Sequence, residues 1–334
     1  MTKIAILGGG SWGTALSIVL ARSRRSHDIT LWSRDSAAAE GMRERRVNEK
    51  YLPGMEIPAC VKPSSDLHEV LKNAHVVVAV LPAAHARRVL VDALPYISPD
   101  AVIVSAAKGL EPSTHLRMSE VIGQVFSLRY VPRVAVLSGP SFALEAARGE
   151  PTAVVIAARE NSVAAFLQEE FSGPAFRLYT NDDVLGVELA GPMKNVMAIA
   201  AGACHGLGLG DNSLAALITR GLAEMTRLAV ALGARAETLH GLAGLGDLVL
   251  TCTGALSRNR QVGIELGKGR SLEEILTEMI MIAEGVGTTA PLLDLAKQHH
   301  VDTPITEQVN AILQGWKSPA DAIRDIMERP LKRE

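Results

Sequence analysis

The sequence predicts an α/β protein in which a doubly wound, mostly parallel sheet, residues 1–188, is followed by an all-α half, residues 189–334. Three observations carry this. The apolar runs of the first half are short and continuous rather than alternating, as strands covered on both faces by helices require. Helical segments separate most of those runs. After about Glu188 the strand-like runs stop, while apolar residues go on recurring at helical spacing.

In chain order, residues 4–7 form an apolar run that meets Gly8, Gly9 and Gly10, and residues 11–20 carry helical periodicity, so the chain opens as strand, turn, helix. Strands are expected over 29–32, 76–81, 102–105, 134–137 and 153–157, with a helix over 162–171 and a strand over 176–180 completing the sheet. In the second half Leu214, Ile218, Gly221, Met225, Leu228 and Leu232 step by four and three along an amphipathic helix that Gly233 closes. Further helices are expected over 272–279, 290–299 and 306–313. With no repeat and no proline-rich linker, the join should be a continuous helical or packed segment.

A chain of 334 residues exceeds one ordinary domain of ~100–200 residues. With 48% hydrophobic and 21% charged residues it can bury a core and lacks the composition of a disordered protein. A formal charge of −2 gives no electrostatic reason to expect nucleic acid as a partner. Cys60, Cys204 and Cys252 are far apart and lack the paired spacing of a zinc or redox motif, so buried thiols and no metal are expected. No apolar run reaches the ~18–20 residues that cross a bilayer, and Met1, Thr2 and Lys3 lead straight into the first strand. The expectation is a cytoplasmic protein without integral membrane association.

Gly8, Gly10 and Gly13 form G-x-G-x-x-G between a strand and a helix. In that context the first glycine allows a tight turn, the second lets backbone approach a pyrophosphate, and the third lets helix pack on strand. The helix N-terminus offers N–H groups to the phosphates. A site selective for NAD usually places an acidic residue about 20 positions onward. Here that position holds Ser33, followed by Arg34, a pair better suited to a 2′-phosphate than to a free diol. The reading favours NADP, with NAD left open because Asp35 is within reach of the hydroxyls.

Ligands of open α/β sheets sit beyond the carboxyl ends of the strands. Lys108 follows one expected strand and the segment 138–141 follows another, which puts both on the ligand edge; a surface lysine is the alternative for Lys108. Lys194 and Asn195 precede the small-residue run 198–202. A lysine at the head of so apolar a segment is either partly desolvated, and so suited to proton transfer, or snorkels to water. Asp247 stands where it can cap a helix, with Thr251 one turn later on the same face. Ser257, Arg258, Asn259 and Arg260 form a polar cluster before a helix, able to hold a phosphate or simply solvated. His299 and His300, Met279 and Met281, and the basic groups at 22–25 and 43–46 are expected to be exposed helix end, core and solvated faces respectively.

Gly8-Gly9-Gly10-Ser11-Trp12-Gly13-Thr14-Ala15, Ala107-Lys108-Gly109-Leu110-Glu111, Ser138-Gly139-Pro140-Ser141-Phe142-Ala143, Lys194-Asn195-Val196, Gly244-Leu245-Gly246-Asp247-Leu248 and Ser257-Arg258-Asn259 together resemble the bacterial-type NAD(P)-dependent glycerol-3-phosphate dehydrogenases. The motifs run in family order from about residue 3 to about 320. The resemblance implies reversible reduction of dihydroxyacetone phosphate to sn-glycerol 3-phosphate for glycerophospholipid synthesis, in the cytoplasm. It also implies a Rossmann domain (1–188) that binds the dinucleotide, followed by an all-α substrate-binding and catalytic domain (189–334) similar to that of 6-phosphogluconate dehydrogenase. A homodimer is the oligomeric state to test.

By the same resemblance Lys194 is the proton donor or acceptor. Lys108, Asn195, Asp247 and Thr251 orient the carbonyl and hydroxyls. Gly139, Ser141, Ser257, Arg258 and Asn259 hold substrate, the last two at its phosphate. Ser11, Trp12, Arg34, Lys108, Ala143, Arg258, Ile282 and Glu284 match cofactor contacts, beside Gly8, Gly10 and Gly13 of the turn. Two departures stand out: Pro192, where the family usually has a small residue, is expected to start or kink the helix bearing Lys194, and Ala107 replaces the usual threonine before the family's lysine. The rival functions are a related two-domain dehydrogenase for another hydroxy acid or sugar phosphate, and a non-catalytic cofactor-binding sensor.

Overall fold

The computed structural model of the chain describes residues 1–279, 281–331 and 333. It divides into two compact units, Met1–Glu188 and Leu189–Glu334.

The first unit carries strands β1 (Thr2–Leu7), β2 (His27–Trp32), β3 (Val47–Asn48), β4 (Leu52–Glu56), β5 (Val61–Ser64), β6 (Val76–Ala79), β7 (Val102–Ser105), β8 (Arg133–Ser138), β9 (Thr152–Ala158) and β10 (Phe176–Asn181). Between them run helices α1 (Ser11–Ala21), α2 (Ser36–Arg45), α3 (Leu67–Leu71), α4 (Ala83–Ala93), α5 (Met118–Phe126), α6 (Ala143–Arg148) and α7 (Asn161–Phe171). Eight strands form one sheet in the order β10-β9-β8-β7-β6-β1-β2-β5. All neighbours are parallel except β8 and β9. Strand order reverses beside β1, between β2 and β6, so the glycine turn after β1 opens at the topological switch point.

The two faces of the sheet explain the continuous apolar runs. Ile4 and Ile6 point into one core with Leu16 and Phe171, and Ala5 and Leu7 into the other with Leu90 and Phe126. Every residue of 4–7 is fully buried, and each large aliphatic side chain so placed contributes roughly 1.5–3 kcal/mol.

Local pattern gives no sign of β3, β4 and β5. Pro63 in β5 and Pro53 with Gly54 in β4 break the strand signal, and both fit the structure. β5 is an edge strand, pairing only with β2, where a proline costs no ladder bond on its open side. Arg46 departs from the solvated face expected for it: it takes a left-handed conformation at φ 57° and is half-buried. Its guanidinium donates to the carbonyls of Ile57, Pro58 and Val61, clamping the β4–β5 connection.

The second unit is helical, with no strand among its described residues. Its elements are α8 (Val184–Gly206), which begins in the first unit, α9 (Asp211–Ala231), α10 (Ala236–His240), a π-helical turn Leu242–Gly246, α11 (Asp247–Thr253), α12 (Arg258–Gly267), α13 (Leu272–Glu278), α14 (Glu284–Gln298), α15 (Pro304–Leu313) and α16 (Pro319–Met327). Gly233 ends α9 at φ +100°, as its position after the last periodic residue predicts. Met279 and Met281, expected in the core, are half-buried in the α13–α14 connection, and of the cysteines only Cys252 is fully buried while Cys60 is exposed.

Pro192 does not start the lysine-bearing helix. α8 begins at Val184 and carries Pro192 in its interior. A proline there has no N–H for the carbonyl four residues back, that of Glu188. The boundary between the compact units falls directly after Glu188. Contrary to the expectation that no apolar stretch reaches bilayer length, α8 is long and apolar enough to cross a membrane; 83% of that window is buried within the protein.

The small residues of α8 serve close packing. A Cβ on Gly202 would lie 2.0 Å from the carbonyl oxygen of Arg260, and one on Gly263 2.0 Å from that of Ile199. Gly206 and Gly267, one turn further along each helix, are equally constrained. α8 and α12 therefore meet backbone to backbone, which fixes where the first turn of α12 stands against Lys194.

Candidate active site

In the glycine turn each glycine has a separate cause. Gly8 sits at φ +130° with the Val80 carbonyl oxygen 2.2 Å from any Cβ, and a Cβ on Gly13 would strike the Gly8 oxygen at 1.9 Å. Both are required by the fold. Gly10 differs: a Cβ there meets nothing within 4 Å. No atom of the described residues explains its bare backbone, and a ligand phosphate approaching closely does. Gly10 is also the N-cap of α1 and supplies no capping side chain, so the first-turn N–H groups, with Ser11 and Trp12 on that turn, remain available to an anion. These residues fit a dinucleotide.

At the end of β2, Ser33 is buried and Arg34 exposed. Asp35 is already occupied. Its carboxylate accepts from Ala37 N at 3.0 Å and Ala38 N at 3.2 Å, capping α2. The group left pointing from this strand end is a guanidinium.

On the same edge, β7 leads to Lys108 and β8 to Gly139. The Lys108 ammonium donates to the Gly139 carbonyl at 2.8 Å and to Ser141 Oγ at 3.4 Å, and Ser141 Oγ donates to the same carbonyl at 2.9 Å. Lys108 is thus half-buried and held rather than waving at the surface. Gly139 sits at φ +125° and a Cβ there would lie 3.1 Å from Val154 Cα, so the turn carrying Ser141 tolerates no side chain there. Ala143 opens α6 two residues beyond.

The second unit holds a buried cluster of polar candidates. Lys194 is 6% exposed and does not snorkel. Its ammonium donates to Asp247 Oδ1 at 3.0 Å and Thr251 Oγ1 at 2.7 Å. Asp247 is not a cap. It is the first residue inside α11, 1% exposed, and spends a carboxylate oxygen on the lysine. Thr251, one turn on, donates back to the Asp247 carbonyl at 2.6 Å, which orients its lone pair toward the lysine. The π-helical turn before Asp247 depends on Gly244, whose Cβ would lie 1.9 Å from the Leu239 oxygen. Burial pushes the neighbouring Cys252 thiol up to about 12, so it stays protonated beside the pair.

The cluster at 257–260 is not a solvated loop. Ser257 caps α12 by accepting from Arg260 N at 3.2 Å, and Asn259 is buried with its Oδ1 accepting from Gly285 N at 2.9 Å. A Cβ on Gly285 would press on both that oxygen and the Asn195 backbone, so Asn195, Asn259 and Gly285 form one close contact. No sequence signal marked Gly285. The Arg258 guanidinium is held below its usual value by desolvation, which Glu284 opposes, and remains charged at any physiological pH. Glu284 starts α14, and Ile282 lies half exposed two residues earlier.

Comparison with known proteins places the whole chain beside one family. Residues 3–164 match the family model described as NAD-dependent glycerol-3-phosphate dehydrogenase N-terminus, and residues 183–324 the C-terminus model of the same name. A Koribacter versatilis protein named glycerol-3-phosphate dehydrogenase [NAD(P)+] is 54% identical over 99% of this chain and 98% of its own length. One of the same name from Acidobacterium capsulatum is 51% identical over 99% of both. The crystal structure of glycerol-3-phosphate dehydrogenase from Coxiella burnetii superposes with a TM-score of 0.92 at 41% identity, covering 98% of this chain and 99% of that one.

Proposed function

Because this chain belongs to the NAD-dependent glycerol-3-phosphate dehydrogenase family, we propose that it catalyses the reversible, NAD(P)H-dependent reduction of dihydroxyacetone phosphate to sn-glycerol 3-phosphate, the backbone of glycerophospholipids. The observation that carries the chemistry is the buried Lys194 ammonium, aimed by Asp247 and Thr251. The reduced nicotinamide cofactor, when bound, supplies the hydride that C2 of the ketone accepts. Lys194 holds the proton that the C2 oxygen takes as it becomes an alkoxide, and in the reverse direction it receives that proton from the hydroxyl. Asp247 keeps a charged amine tolerable at a site from which water is largely excluded. Lys108 adds positive potential for the developing alkoxide.

Asn195, Asp247 and Thr251, with Lys108, are assigned to orienting carbonyl and hydroxyls, and Gly139, Ser141, Ser257, Arg258 and Asn259 to substrate, the last two at the phosphate, whose binding energy orients the reacting carbon. Gly8, Gly10, Gly13, Ser11, Trp12 and Ala143 are assigned to the dinucleotide, as are Arg34, Lys108, Arg258, Ile282 and Glu284. On this reading residues 1–188 bind the dinucleotide and 189–334 bind substrate and carry the catalytic lysine. The protein is cytoplasmic, without integral membrane association, and works as a homodimer.

The finer cofactor choice is NADP, supported by an exposed Arg34 beside an Asp35 already engaged in capping. The test compares kcat/KM for NADPH and NADH with dihydroxyacetone phosphate in wild type and Arg34→Ala. Wild type should favour NADPH, and the variant should lose about 10- to 100-fold with NADPH alone, the worth of a charge-assisted hydrogen bond. No ketone-dependent oxidation in wild type would sink the reaction; an unchanged cofactor ratio would sink the role of Arg34.

A further inference from the structure

We propose that Asn48 is a positioning residue for cofactor binding: its amide locks the glycine turn so that the Gly10 N–H faces the pyrophosphate. The inference rests on the dinucleotide reading above and adds a residue from outside the main sheet.

Asn48 ends β3, in the two-stranded hairpin with β4, and is 5% exposed. Its Nδ2 donates to the Gly9 carbonyl at 2.9 Å and to Thr14 Oγ1 at 2.8 Å, while its Oδ1 accepts from Tyr51 N at 3.2 Å. Both amide hydrogens are spent on the turn, and the carbonyl oxygen is spent on its own hairpin. The reverse orientation of the amide would set oxygen against the Gly9 oxygen, so the network admits one arrangement.

Gly9 precedes Gly10, and Thr14 follows it in the first turn of α1, its N–H donating to the Gly10 carbonyl at 3.0 Å. One side chain therefore grips the turn on both sides of the residue whose backbone is bare. In a trans peptide the C=O and N–H point in opposite directions. Tying the Gly9 oxygen to Asn48 thus directs the Gly10 N–H away from Asn48, and that N–H has no partner among the described residues. Glycine on both sides of this peptide leaves its rotation cheap. Without Asn48 the Gly9 carbonyl is free to turn toward the phosphate, replacing a donor by an acceptor.

The alternative is that Asn48 only tethers the hairpin. The two are separated by competition against bound NADPH using ADP-ribose, which carries the pyrophosphate, and adenosine, which does not. In Asn48→Ala the Kd of NADPH and of ADP-ribose should rise about tenfold, as loss of two hydrogen bonds to the turn predicts, with adenosine changed less than about twofold and kcat at saturating NADPH within about threefold. Unchanged Kd values overturn the proposal, and so does equal weakening of both fragments together with a lowered Tm. Should that variant fail to fold, Thr14→Val removes one acceptor and keeps the Gly9 contact. It should show a smaller loss confined to the pyrophosphate ligands, and a loss shared by adenosine overturns the proposal. Failure of the wild-type protein to bind NADPH at all would overturn the dinucleotide reading itself.

Discussion

Replacing Lys194 by Met keeps most of the side-chain volume and removes the ammonium that Asp247 and Thr251 hold. At the observed 3.0 Å, two unit charges attract by roughly 5 kcal/mol at an effective dielectric of about 20, before either pays for leaving water. Removing the lysine takes from Asp247, 1% exposed, the cation it is paired with, and breaking a buried pair in this way costs about 3–5 kcal/mol. For a chain of this size that corresponds to a fall in Tm on the order of 10 °C. Turnover should fall by about 10²–10⁴, the usual contribution of a positioned proton donor.

The two losses have different causes and can be separated. Lys194→Met with Asp247→Leu removes both charges, so thermal unfolding should return toward wild type because a buried pair is exchangeable for apolar packing. Ketone-dependent NADPH oxidation at saturating substrate and cofactor should stay as low as in the single variant. If Lys194→Met turned over at the wild-type rate, or if the double variant regained activity along with stability, the lysine would be a structural cation and the proton-transfer role would fail.

Two further outcomes follow from the geometry. Gly10→Ala should fold with a Tm near wild type, because its Cβ enters open space, yet bind NADPH at least tenfold more weakly, whereas Gly13→Ala, driven 1.9 Å from a backbone oxygen, should lose several °C or fail to fold; equal behaviour of the two would refute the assignment of Gly10 to the ligand. Burial raises the Glu224 carboxyl above its ordinary 4.5 even as it accepts from Ile305 N and Thr306 N at the start of α15, so the native state holds that proton more tightly than the unfolded chain and stability falls as pH climbs through the window just above 4.5. The Tm advantage of wild type over Glu224→Gln should therefore shrink across that window, and a constant difference would show the residue to be unperturbed.

The legible parts of this chain were those written in local pattern. The strands at 4–7, 76–79 and 102–105 are central, buried on both faces, and so carry runs of apolar residues that hold their meaning without neighbours. The turn at 8–13 was legible because strand, glycines and helix are contiguous. The edge strand at 61–64 was hidden by Pro63, whose tolerance depends on which strand lies beside it. Asn48 and Gly285 were invisible for the same reason. An asparagine and a glycine are common in loops, and what distinguishes these two is a contact with Gly9 in one case and with Asn259 and Asn195 in the other. Asp247 was legible as a helix-start residue but not as the lysine's partner, since 53 positions separate the two.

The sequence by itself determined that an α/β half precedes a helical one, that the first turn is built for close backbone approach, and that a lysine directly precedes an apolar run of small residues. These follow from periodicity and steric demand, which act between near neighbours along the chain. Only the tertiary structure decided that Lys194 is buried and paired, that Asp35 is spent on a cap while Arg34 is not, and that Pro192 lies within a continuous helix. Charge pairing, burial and hydrogen-bond satisfaction depend on which distant segments meet, and chain order alone carries no record of that.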